Sequence, residues 1–395
     1  MKNFTKIGGG VLAPHGFRGG VAACGIKGGR AVRDDLALVV SDFPAIAAAT
    51  FTTNKVKAAP VLVSMEHMKT ASKRAVILNS GNANACTGAA GLVAARTMAA
   101  AAARAAECGE REVLVCSTGR IGVPLPTARV ETGLASIKLS RGAGTRCARA
   151  IMTSDTFPKQ ISFVVGSGRR AFRVGAMAKG AGMINPDMAT MLCLVTTDAI
   201  VPAASLRAQL KAAVGESFNR ITVDGDMSTN DTVIVLANGS SGVVAATDVF
   251  RETLTTACAE LARMIVRDGE GVSRFVEVLV RGAASASDAR RAAEAVANST
   301  LVKCAWAGGD PNWGRIMDAL GYCGARMVES ATSIDYGGLP IVRGGMVAAT
   351  PWPMLRAVAA RKAFRVEIDL GLGSASHEVW TTDLTEEYVR LNLGE

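Results

Sequence analysis

The sequence predicts an α/β protein, a layered sandwich of sheets and helices. Three observations point there. Apolar runs of strand length alternate with segments of helical period along the whole chain. Apolar residues make up 49% of the 395 positions and charged residues 20%, a globular composition rather than a disordered one. Forty-two glycines against 11 Phe, 4 Trp and 3 Tyr imply many tight turns and close backbone approaches. A chain of this length suggests two to three domain-sized units.

The elements follow in order. Residues 36–40, 47–51 and 75–78 read as strands, the last running into Asn79-Ser80-Gly81-Asn82-Ala83-Asn84. The alanine-rich segment 89–106 is interrupted by Arg96 and Arg104, so it reads as a helix and not a membrane span. Residues 113–116 form another apolar strand that ends in Ser117-Thr118-Gly119-Arg120-Ile121-Gly122, and helical period returns at 128–139 and 145–152. Strands 161–165 and 172–177 lead to a glycine-rich bend and a further apolar strand, 191–195. Beyond it come a helix (203–214), a strand (232–236), a long helix (248–267) and a strand (275–280). A helix near 287–298, with Ser287 as its N-cap, precedes a loop at 308–315. The remainder is strand-rich, with strands at 364–370 and 376–381. No internal repeat, low-complexity segment or linker interrupts the series.

Charge and cysteine usage narrow the function classes. The net charge is +10, but no Lys/Arg run is longer than pairs such as Arg169-Arg170, and no aromatics are interleaved, which argues against nucleic acid as a partner. A mild positive field suits small anionic substrates. The nine cysteines never come closer than the eight-position spacing of Cys108 and Cys116, and the three histidines (15, 67 and 377) are far apart in sequence. No metal site of cysteine and histidine is expected; several cysteines read as buried thiols in a reducing compartment. The N-terminal segment lacks an apolar signal-peptide core, so the expectation is a soluble, cytoplasmic protein with no membrane partner.

Chemistry concentrates at Lys179-Gly180-Ala181-Gly182-Met183-Ile184-Asn185-Pro186-Asp187-Met188-Ala189-Thr190-Met191-Leu192. A threonine hydroxyl is a weak nucleophile without a base beside it, and cutting the chain before the threonine supplies one, its own α-amine. Flexible Gly180 and Gly182 with rigid Pro186 can strain the Ala189–Thr190 bond toward an N→O acyl shift. The freed amine, with an ordinary pKa of about 7.7–8, is partly neutral at physiological pH. Ser117-Thr118-Gly119 closes a buried strand, where hydroxyl and amide donors can stabilise an oxyanion. A Ser-His-Asp triad is disfavoured because no GxSxG elbow is present, and the 308–315 loop fits neither phosphate-binding pattern.

Lys179–Leu192 closely resembles the cleavage-site signature of the ornithine acetyltransferases (glutamate N-acetyltransferases, the ArgJ family) of arginine biosynthesis. The resemblance runs through nearly the whole chain in order: the blocks at 79–88, 117–122, 152–156, 217–226, 268–271, 310–315 and 387–392 all match. It implies a fold similar to the N-terminal-nucleophile hydrolases with ArgJ/DmpA-like topology. It also implies self-cleavage between Ala189 and Thr190 into an α chain (1–189) and a β chain (190–395), assembled as α2β2. In the ping-pong reaction so implied, N-acetylornithine acetylates Thr190, ornithine leaves, and glutamate takes the acetyl group. Thr118 and Gly119 fall on the family's oxyanion hole, and Thr153, Lys179, Thr190, Glu270 and Asn392 on its substrate-binding positions. Lys179 suits a substrate carboxylate and Glu270 an ammonium group. No cofactor is implied, since the donor is itself an amide, although some members accept acetyl-coenzyme A.

The departures fall on recognition. Asn392 is followed only by Leu393-Gly394-Glu395, where the family carries a substrate-contacting hydroxyl five residues on. Asn185, Asp187, Met227 and Cys304 also replace commoner residues. They leave open a paralogue of specialised metabolism with a different amine or acyl partner. A related amidohydrolase or aminopeptidase, with water resolving the acyl-enzyme, is the second alternative. A non-catalytic basic binding protein is the third, and the dispersed charge argues against it.

Overall fold

The computed structural model describes residues 4–28, 33–185 and 191–393, which form two compact units. The first unit takes the chain up to Ala181, then 187–219 and 227–265; the second takes 182–186, 220–226 and everything from Val266 onward.

In the first unit the strands are β1 (Phe4–Lys6), β2 (Phe17–Ala22), β3 (Leu36–Phe51), β4 (Lys73–Asn79), β5 (Val113–Ser117), β6 (Lys159–Val165), β7 (Phe172–Lys179), β8 (Leu192–Thr197) and β9 (Thr232–Ala237). Its helices are α1 (Ala59–His67), α2 (Gly88–Ala106), α3 (Thr127–Ala135), α4 (Gly144–Ala150), α5 (Ala203–Gly215) and α6 (Thr247–Arg267). The strands hydrogen-bond in the order β1-β6-β7-β8-β9-β3-β4-β5, with β2 on β3 as well.

β3 organises this unit, and it corrects the expectation of two separate strands at 36–40 and 47–51. Its first half pairs with β2 and β4 and its second half with β9. The register on β4 shifts between Val40 and Ala45, around Phe43-Pro44, where proline supplies no ladder donor. One strand therefore bends and serves both halves of the sheet.

Alternation then builds layers. Ala37 and Val39 of β3 share a core with Leu78 of β4, Leu194 of β8 and Ile234 of β9, a sheet-on-sheet contact. Their neighbours Leu36, Leu38 and Val40 turn the other way, onto Ala95 and Met98 of α2 and Val130 of α3. The alanine-rich face of α2 lets that helix lie close to the sheet. On the far side α5 packs on β3, Phe250 of α6 meets Phe172 of β7 with ring centroids 6.3 Å apart, and Cys258 lies beside Cys193. The result is helices, sheet, sheet, helices: the layered α/β sandwich the sequence predicts.

The second unit holds β10 (Phe275–Ala283), α7 (Ala286–Asn298), α8 (Thr300–Ala307), α9 (Trp313–Tyr322), β11 (Ser333–Tyr336), β12 (Leu339–Arg343), β13 (Met346–Val347), α10 (Trp352–Ala359), β14 (Ala363–Asp369), β15 (Ala375–Thr382) and α11 (Glu386–Leu391). Its sheet runs β13-β12-β11-β14-β10-β15, with β10 parallel to β14. Val276, Val278 and Val280 alternate into a core completed by Ala289, Ala293 and Val296 of α7. The N-cap of α7 is Ser285 and not Ser287: its hydroxyl oxygen accepts the Asp288 amide at 3.1 Å, three residues on. The stretch 308–315 is only partly loop, because Asn312 caps α9 by accepting the Arg315 amide.

All nine cysteines are free, and Cys24, Cys116, Cys147, Cys193 and Cys258 are buried. Burial pushes the Cys116 thiol up to about 12, so it is an inert packing group, as the apolar runs suggest. Among the described residues no helix is long and apolar enough to cross a membrane, and no group of His, Cys, Asp or Glu is arranged to hold a metal ion.

Candidate active site

Two turns singled out in the sequence meet at the ends of adjacent strands. β4 and β5 are parallel and in register from Ala75↔Val113 to Asn79↔Ser117, so the Asn79-Ser80-Gly81-Asn82 and Ser117-Thr118-Gly119 turns emerge side by side. The carboxyl ends of parallel strands are where α/β sheets place ligands. The Ser117 hydroxyl donates to Asn79 Oδ1 at 2.6 Å, and Asn79 Nδ2 donates to the Asn82 carbonyl at 2.9 Å. The Thr118 amide is committed to the Asn79 carbonyl at 3.0 Å. Among the described residues, the donors remaining on this turn are the Thr118 hydroxyl and the Gly119 amide. Thr118 is buried and Gly119 exposed, so the pair stands at the mouth of a dry turn. Glycine is required at 119: its φ is +133°, and a Cβ would stand 2.3 Å from the Gly81 carbonyl carbon.

The residues leading into β9 tie this turn to the segment after Thr190. Asn230 Nδ2 donates to the Ser117 carbonyl at 2.9 Å and the Ala83 carbonyl at 2.7 Å. The next residue, Asp231, accepts the Met191 amide on Oδ1 at 2.9 Å, and the Thr232 amide donates to the Met191 carbonyl at 3.1 Å. Burial pushes the Asp231 carboxyl well above the usual range, against the pull of the Met191 amide and the Lys179 charge.

Lys179 closes β7 and pairs directly with Leu192 of β8. It is buried and lies beside Asp155, which is held by a second lysine: Lys159 Nζ donates to Asp155 Oδ1 at 2.6 Å, with both side chains fully buried. Asp155 also accepts the Gly180 amide at 2.8 Å and the Thr153 amide at 3.0 Å. Burial alone would raise this carboxyl, but the Lys179 and Lys159 charges, with the Gly180 and Lys159 hydrogen bonds, outweigh it and hold it at about 2. Asp155 thus gathers Thr153, Lys179 and Gly180 at one point.

The other two predicted positions meet in the second unit. Asn392 Nδ2 donates to Glu270 Oε2 at 3.1 Å, and Gly182 lies so close that a Cβ there would stand 2.6 Å from the carboxyl carbon of Glu270. The following residues are pinned by Asp224, which accepts the Met183 amide at 2.6 Å and the Ile184 amide at 2.8 Å. Ala189 and Thr190, the expected cleavage pair, lie outside the described residues, as do Pro186, Asp187 and Met188.

Asn230 and Asp231 were not singled out from sequence. Their signal is a polar Ser228-Thr229-Asn230-Asp231 run opening an apolar strand, all four buried. Asp155 lay inside a quoted block, and its i,i+4 spacing to Lys159 is the clue to its pairing.

Together these features define a class: a layered α/β protein with hydroxyl and amide donors and buried carboxyls gathered where parallel strands end. Comparison with known proteins makes it particular. Residues 18–394 match the ArgJ family, and the chain belongs to that family. It is 47% identical to the arginine biosynthesis bifunctional protein ArgJ of Geobacter sulfurreducens, over 95% of this chain and 98% of that one. It is 46% identical to the protein of the same name from Symbiobacterium thermophilum, over 98% of each. Among solved structures, an ornithine acetyltransferase from Mycobacterium tuberculosis, complexed with ornithine, is similar over 46% of this chain and 98% of that one, at 44% identity and a TM-score of 0.43.

Proposed function

We propose that this chain is an acetyltransferase of arginine biosynthesis, moving acetyl from N-acetylornithine to glutamate through an acetyl-Thr190 intermediate. The observation that carries this reading is family membership over 18–394, joined to the arrangement around the Thr190 segment. Lys179 and Leu192 face each other in the sheet, so the Ala189–Thr190 bond belongs to the connection between two paired strands. Cutting that connection leaves β7 and β8 held by their neighbours, and the two products stay folded together. Such a cut frees the Thr190 amine to act as base for its own hydroxyl.

The hydroxyl attacks the acetyl carbonyl, and the Thr118 hydroxyl and Gly119 amide take the developing oxyanion, each such donor being worth roughly 10²–10³ in rate. Collapse expels ornithine, its nitrogen taking the proton held by the Thr190 amine; glutamate then enters and reverses the steps. In this reading Lys179 suits a substrate carboxylate and Glu270 a substrate ammonium group, with Thr153 and Asn392 as further substrate-binding positions. The donor's own amide carries the acetyl group, so no cofactor is needed, and acetyl-coenzyme A serves as an alternative donor. The same reading makes the working form an α2β2 cytoplasmic assembly.

Incubation with N-acetylornithine tests it. Ornithine turnover beyond one equivalent per enzyme that depends on glutamate, and that Thr190→Ala abolishes, is the expected result. Release at the same rate without any acceptor would assign the protein to hydrolysis instead.

A further inference from the structure

We propose that Asp231 is the positioning residue of Thr190, gripping the amide that joins Thr190 to Met191. This rests on the reading of Thr190 as the nucleophile. The amide that Asp231 Oδ1 accepts at 2.9 Å is the one formed by the Thr190 carbonyl, so the carboxyl is anchored one peptide unit from the reacting residue. The same strand end holds the other half of the site, because neighbouring Asn230 grips the Ser117 carbonyl just before Thr118. Two consecutive residues therefore set the nucleophile's peptide and the oxyanion turn relative to each other. Holding the Met191 amide fixes where the chain enters β8, and an error of about 1 Å in a reacting group costs on the order of 10²-fold in rate.

The second carboxyl oxygen argues for more than a structural anchor. Asp231 is fully buried, yet Oδ2 has no hydrogen-bond partner among the described residues. Native interiors rarely leave such an atom unpaired without a use. The Thr52 hydroxyl lies beside the carboxyl but donates to the Ser228 carbonyl at 2.8 Å. Among the described residues the charged group facing Asp231 is Lys179 on β7, and burial outweighs it, holding the carboxyl well above the usual range.

The test compares wild type, Asp231→Asn and Asp231→Ala by mass of the denatured chains and by kcat and KM for acetyl transfer from N-acetylornithine to glutamate. Asparagine keeps the acceptor for the Met191 amide. Asp231→Asn should self-cleave and lose less than about tenfold in kcat. Asp231→Ala should process and turn over roughly 10²-fold more slowly, with KM within a few-fold. An Asp231→Asn enzyme that folds but is not cut, or that loses roughly 10²-fold in kcat, overturns the proposal, and this arm remains informative if the alanine variant does not fold. So does an Asp231→Ala enzyme with wild-type processing and kcat. A wild-type chain that is never cut before Thr190 defeats the nucleophile assignment instead, and is read from the wild-type lane alone.

Discussion

Gly182→Ala should weaken substrate binding while leaving the fold intact. The φ of Gly182 is not in the left-handed region, so alanine carries no backbone strain there. Its Cβ would stand 2.6 Å from both the carboxyl carbon and Oε2 of Glu270, and 2.8 Å from Oε1. Ordinary contacts lie at about 3.5–4.0 Å, so the carboxylate has to retreat by roughly 1 Å. Retreat breaks its 3.1 Å bond from Asn392 and moves the charge assigned to the substrate ammonium. A hydrogen bond to a charged group is worth about 1.5–3 kcal/mol. Glu270 is half-buried and Asn392 exposed, which puts the loss at the lower end, roughly tenfold in affinity. The expected outcome is a KM for N-acetylornithine raised about tenfold, kcat within about threefold, and a Tm within a few degrees of wild type. With Glu270→Ala already in place the added methyl meets no carboxylate, so the double variant should match the single Glu270→Ala. Initial rates on the four proteins read this directly. A Gly182→Ala enzyme with wild-type KM, or fully additive losses in the double variant, refutes the coupling.

Other predictions follow from buried polar groups. Asn230→Ala removes both tethers of the Ser117 and Ala83 carbonyls, so kcat should fall about 10–100-fold with KM little changed, measured by initial rates. Asp155→Asn strands the buried Lys159 ammonium and should cost on the order of 3–5 kcal/mol in urea melts near neutrality. Because the Asp155 carboxyl is held at about 2 against an ordinary 3.8, its contribution is complete above the unfolded value and lost as pH falls through the folded one. The asparagine variant should lack that acid limb in melts between pH 6 and 2. Burial lowers the Lys303 ammonium to about 7 from an ordinary 10.5, against the opposing charges of Asp383 and Asp224. The unfolded chain binds the extra proton between those values, so wild type should gain about 1 kcal/mol per pH unit over Lys303→Met as pH rises from 7 to 10.

Local signals carried most of the layered fold, and long-range pairing decided the rest. β8 and β9 are legible as apolar runs, and α2 as an alanine-rich helix. The single bent β3 is not, because Phe43-Pro44 reads as a break and only pairing with β9 on one half and β2 and β4 on the other makes it continuous. The Ser285 cap was within reach: Ser285 and Asp288 stand three apart, the spacing of a capping pair, whereas Ser287 sits one residue before the acid. In the site, Ser117-Thr118-Gly119 and Lys179 stood out as motifs. Asn230 and Asp231 did not, since their meaning lies in partners 113 and 40 residues away. A short polar run before a strand looks like a turn until those partners are known.

In the proposed reading Thr190 becomes the nucleophile by cutting the chain before itself, and mass measurement of the purified, denatured protein is the decisive check. Two polypeptides are expected, residues 1–189 and 190–395, the second beginning at Thr190, with a single uncut chain for Thr190→Ala. A wild-type protein that transfers acetyl groups while its 395-residue chain stays intact would overturn that reading.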